Sequence, residues 1–75
     1  MTRLVDCKKV MGVKIVEINA GRGATMNLSN LGLHIGNLIK FLRKSPFQGP
    51  VIVEHQGSEI AIGYGLAKKI FVEEI

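Results

Sequence analysis

Cysteine is all but missing from this chain. Cys7 stands alone among 75 residues, so no disulfide can form within it. Proline occurs twice and aromatic residues four times, as Phe41, Phe47, Tyr64 and Phe71. Isoleucine, valine and leucine must therefore supply most of any core. The two histidines, His34 and His55, lie far from Cys7 and from each other, which is not a metal-ligand spacing. No apolar run approaches the ~20 residues that cross a bilayer. The opening Met1-Thr2-Arg3-Leu4-Val5-Asp6 lacks the apolar core of a secretory signal. A lone thiol in a domain of this size points to a reducing compartment, so a cytoplasmic protein is expected.

What is present is aliphatic. Hydrophobic residues make up 47% of the chain, enough to pack a single domain spanning residues 1–75. Cores this small rarely supply more than ~3–5 kcal/mol of net stability, and no staple is available here. Ten Lys and Arg against six Asp and Glu give a net charge of +4. The basic residues are spread as dipeptides, Lys8-Lys9, Arg43-Lys44 and Lys68-Lys69, a pattern that fits solvated faces better than a phosphate-binding stripe.

Turn residues cut the chain into short pieces. The first nine residues are mixed and are expected to pack only partly. Residues 10–18 are β-branched and read as a strand. Their apolar positions break strict alternation, which calls for a bulge near Val16-Glu17 so that Ile15 and Ile18 both face inward. After the glycine-bearing loop of residues 19–23, a helix is expected over residues 24–31, with Thr25 as its N-cap. Gly32 then provides a left-handed stop, and Leu33 folds back as the apolar seal of that cap.

Strands come next at residues 38–44, with Ile39 and Phe41 inside, and at residues 51–56, with Val51, Val53 and His55 on one side. Gln56-Gly57-Ser58-Glu59 turns into Ile60-Ala61-Ile62. Residues 63–69 form one helical turn, and residues 70–73 form the last strand. The expected fold is mainly β: a small SH3-like five-stranded barrel with one short helix after strand 1 and a helical turn before the last strand.

Specific chemistry is hard to find. Gly21-Arg22-Gly23 is not followed by Gly-Lys-Ser/Thr, so it is no phosphate loop. Cys7, His34 and His55, joined by Asp6, Glu17, Glu54 or Glu59, are the only candidate metal ligands. A partly buried thiol, a turn histidine and a strand histidine are the plainer reading, and no metal site or cofactor is assigned. Paired carboxylates occur only as Glu73-Glu74, which a strand directs to opposite faces. No catalytic set emerges, and the chain is expected not to be an enzyme. The best interaction site is the turn over residues 45–50. Phe47 lies there between Pro46 and Pro50, and exposed aromatics in rigid loops make good interface anchors. Pro46, Phe47, Gln48 and Arg43 are the expected partner-binding residues, against the alternative that Phe47 covers one end of the barrel.

Several pieces occur together in a particular order. They are Ile15-x-x-Ile18, Leu28-x-x-Leu31-Gly32-Leu33-x-x-Gly36, Pro46-x-x-Gly49-Pro50, the alternating Val51 and Val53, Gly57, Ile60-Ala61-Ile62, and Ala67-x-x-Ile70-x-Val72. This pattern resembles the ferrous iron transport protein A family, FeoA, from about Gly12 to Val72. It is also similar to the C-terminal domain of iron-dependent repressors of the diphtheria-toxin-repressor type. The resemblance implies a non-enzymatic cytoplasmic accessory protein of bacterial Fe(II) uptake. Its implied partner is the cytoplasmic GTPase region of the membrane transporter FeoB, with an effect on that transporter's GTPase cycle or assembly. Membrane contact would be indirect, and no nucleic acid is expected. Two alternatives stay open: an SH3-like nucleic-acid-binding module, motivated by Lys8, Lys9, Arg22, Arg43 and Lys44, and a weak transition-metal-sensing domain.

Overall fold

The aliphatic alternation builds one antiparallel sheet that rolls on itself. A computed structural model describes residues 1–75. Its strands are β1 (Thr2–Arg3), β2 (Met11–Ile18), β3 (Leu38–Lys44), β4 (Val51–His55), β5 (Ser58–Ile62) and β6 (Ile70–Glu74). They lie in the order β1-β6-β2-β3-β4-β5. Helix α1 (Arg22–Asn30) joins β2 to β3, and α2 (Tyr64–Ala67) joins β5 to β6. The extents of 29 × 27 × 24 Å are those of a rolled sheet rather than a flat one. The sheet therefore has six strands where five were expected, and the mainly β class holds. The two outer strands, β1 and β5, do not pair. A 3₁₀ turn over Leu4–Asp6 comes after β1, and α2 comes after β5; the packing of these two pieces brings the edges of the sheet together.

The extra strand comes from the amino-terminal residues, which were expected to pack only partly. Thr2 and Arg3 pair with Val72 and Phe71. The 3₁₀ turn then drops Leu4 and Val5 into the core, and Cys7 joins them. Burial of these three apolar side chains outweighs the weak strand signal of the segment.

On β2, a register shift between Ile15 and Glu17 against β6 sets Ile15 in the core and Ile18 against it, as the broken alternation required. Ile39, Phe41, Val51 and Val53 all face inward. The fifteen buried side chains are all apolar or Cys7, and no polar side chain is buried among them. The core thus needs no internal polar network.

Helix α1 begins earlier than expected and without the expected cap. Gly21 is the N-cap and makes no side-chain cap bond. Thr25 lies one turn inside, where its hydroxyl donates to the Gly21 carbonyl at 3.0 Å. The C-terminus matches the expectation closely. Gly32 adopts φ +84°. Its N–H donates to the Ser29 carbonyl at 2.9 Å, and the Leu33 N–H donates to the Leu28 carbonyl at 2.9 Å. These are the two bonds of a Schellman cap, and Leu28 with Leu33 forms its apolar seal; both are buried. Such a short helix is held by this seal, since its own propensity is too small.

Candidate interaction site

Residues 45–50 connect β3 to β4 as a tight loop. The Ser45 N–H donates to the Pro50 carbonyl at 3.0 Å and the Gly49 N–H to the Pro46 carbonyl at 3.1 Å. Gly49 is required by space: a Cβ there would lie 2.7 Å from the Cβ of Ser45. Between these clamps, Phe47 and Gln48 both take left-handed backbone, with φ of 57° and 59°. Left-handed conformation costs roughly 1–2 kcal/mol for a residue bearing a Cβ. Phe47 is 99% exposed, so it covers no end of the barrel and no packing within the chain compensates for this cost. Strained backbone of this kind clusters at functional sites.

Pro46, Phe47 and Gln48 form the exposed tip of the loop. Arg43 is placed differently. It lies near the end of β3 and directs a guanidinium nitrogen to Glu59 on β5 at 3.5 Å, across the outer surface of the sheet. The four expected partner-binding residues thus divide into a tip of three and a sheet-bound arginine.

Two hollows flank the 3₁₀ turn. The first, about 220 Å³, lies between that turn and the loop and is floored by Val5, Val51 and Tyr64. The second, about 260 Å³, lies between the amino-terminal segment, β2 and β6 and is floored by Cys7, Met11, Val13 and Val72. Asp6 borders both. Its carboxylate accepts from the Arg3 guanidinium at 2.9 Å and 3.3 Å. This hydrogen bond holds the Asp6 carboxyl below the ordinary carboxylate range, and the charges of Lys44 and Lys8 add to the effect. Burial pushes the Cys7 thiol up, with Asp6 reinforcing the shift; the side chain is an inert core residue rather than a nucleophile. Sequence reading missed both hollows, because they depend on the amino-terminal segment packing against β2 and β6.

The other candidate ligands are dispersed. His34 is an exposed turn residue whose backbone N–H donates to the Asn37 side-chain oxygen at 2.7 Å. His55 is half-buried, its ring edge close to Gly32 at the end of α1, and its Nδ1 is buried without a hydrogen-bond partner. The fold brings no group of three or more His, Cys, Asp or Glu side chains together at metal-binding geometry. No helix is long and apolar enough to cross a membrane.

A rolled antiparallel sheet, with a capped helix after its first long strand and a rigid aromatic loop, defines a small SH3-like barrel. Comparison with known proteins narrows this class. The FeoA domain family model matches residues 2–74. A protein of Methanocaldococcus jannaschii named Fe(2+) transport protein A is 43% identical over 74 residues, covering 99% of this chain and 88% of its own. The crystal structure of an iron uptake regulatory protein, FeoA, superposes with a TM-score of 0.85 at 30% identity, covering 99% of this chain and 96% of that one. The manganese-activated repressor ScaR superposes with a TM-score of 0.91 at 26% identity, over 99% of this chain but only 35% of its own. The chain belongs to the FeoA family.

Proposed function

We propose that this protein is a non-enzymatic accessory protein of ferrous iron uptake. It docks through the loop tip Pro46-Phe47-Gln48 on the cytoplasmic GTPase region of the transporter FeoB and acts on that transporter's GTPase cycle or assembly. Iron uptake enters through family membership and through the name of the Methanocaldococcus jannaschii relative. The observation that carries docking is Phe47 itself, 99% exposed on left-handed backbone. A chain that stabilises itself alone has no use for that arrangement. Burying the ring in a partner is worth about 1.5–3 kcal/mol.

The test is binding of the full chain to the purified FeoB cytoplasmic region, measured by biolayer interferometry. Phe47→Ala should weaken binding by roughly 10- to 150-fold while the thermal unfolding curve stays in place. Wild-type affinity in that variant would remove the loop tip from the interface.

A further inference from the structure

The two hollows beside the 3₁₀ turn share a border and a charge pattern. Arg3, Lys8, Lys9 and Lys44 surround or line them, against Asp6 and Glu74. Asp6 is bound by Arg3. The chain's only other ion pair is that of Arg43 with Glu59. Three ammonium groups therefore face one unpaired carboxylate along this surface. In the larger hollow they do so over an apolar floor of Met11, Val13 and Val72; the smaller has Val5 and Val51 at its base within a mixed polar and apolar lining. Each hollow is smaller than the ~300–1,000 Å³ of a site for a whole small molecule, and suits a side-chain anchor instead. Tyr64 is the only aromatic lining either one, so there is no platform for stacking bases.

We infer that the two hollows, with the cations that line them, form one docking track for an extended acidic peptide segment of a partner protein, its apolar side chains seated in the hollows and its carboxylates on Lys8 and Lys9 at one and Lys44 at the other. Charge supplies orientation and encounter rate, and the apolar anchors supply the specificity that charge alone lacks. This track does not depend on what Phe47 contacts, because Phe47 lines neither hollow.

The experiment is an NMR titration of the ¹⁵N-labelled full chain with three probes: a hexapeptide in which pairs of leucine and glutamate alternate, Leu-Leu-Glu-Glu-Leu-Leu, so that each face of the extended chain carries both, hexaglutamate, and hexauridylate. The alternating peptide should shift the amides of Lys8, Lys9, Met11 and Val72 together with Gln48 and Gly49, and saturate. Hexaglutamate should bind about tenfold more weakly. Lys8→Glu with Lys9→Glu, at exposed positions, should weaken the alternating peptide by about tenfold with unchanged thermal unfolding, and Phe47→Ala should bind it as the wild type does. Equal binding of hexaglutamate would reduce the track to a nonspecific anion surface. Equal binding of hexauridylate would make it a nucleic-acid site. Unshifted amides, or undiminished binding by the double variant, would equally overturn the inference.

Discussion

Of the connections in this molecule that use left-handed backbone, two do opposite things with it. At the end of α1 the left-handed residue is Gly32, and its neighbour Leu33 is 1% exposed. Between β3 and β4 the left-handed residues are Phe47 and Gln48, and Phe47 is 99% exposed. The first connection uses the residue that adopts this conformation without steric penalty, and it delivers a leucine to the core. The second places a large aromatic where the backbone is strained and leaves it in water. The two turns thus differ in which residue bears the positive φ and in where the nearby apolar side chain goes: into the core at one, into solvent at the other.

The contrast breaks most sharply at the apolar residues. Leu33→Ala removes the seal of the Schellman cap and should cost about 2–5 kcal/mol in urea unfolding, whereas Phe47→Ala should stay within about 0.5 kcal/mol of wild type. If Phe47→Ala destabilised the chain as Leu33→Ala does, the loop would be part of the fold. Next comes Gly49→Ala. Its Cβ would collide with that of Ser45 at 2.7 Å, which should cost about 1–3 kcal/mol and collapse the clamp that aims Phe47.

Smaller effects sharpen the same comparison. Gly32→Ala should lose about 1 kcal/mol at φ +84°. Phe47→Gly should gain about 0.5 kcal/mol, the relieved strain exceeding the extra chain entropy of glycine. Opposite signs for these two exchanges are the expected result, and equal signs would undo the contrast. The smallest effect concerns Asp6. Arg3 lowers its folded-state carboxyl below the unfolded value, so its contribution is present above the ordinary carboxylate range and is lost as acid protonates the folded form. Asp6→Asn should flatten the stability profile slightly below about pH 4, as read by urea midpoints across that range.

Most of the fold was legible because it rests on short-range pattern. Alternation placed Ile39, Phe41, Val51 and Val53 inside, the broken alternation of β2 located its bulge, and Gly32-Leu33 announced the helix stop. What escaped was tertiary. Gly21-Arg22-Gly23 has poor helix propensity, yet α1 starts there because Leu28 and Leu33 anchor the helix from its other end. Thr25 matched the preferences of a cap but lies within the first turn. Leu4, Val5 and Cys7 show no periodicity, and only their burial reveals that the amino terminus completes the barrel. The same gap hid the hollows, since Lys44 becomes a neighbour of Asp6 only after folding. The loop tip was visible because Pro46, Gly49 and Pro50 mark a rigid turn around an aromatic, although its left-handed backbone was not.

Phe47 is held in water, and fluorine NMR of the chain carrying 4-fluorophenylalanine tests directly the proposal that it is held there for a partner. Phe41, 2% exposed, serves as an internal reference within the core. On addition of the FeoB cytoplasmic region, the Phe47 resonance should shift and broaden saturably while the Phe41 resonance keeps its position. A Phe47 resonance that stays at its free-state position, with the complex formed, would contradict that role for the ring.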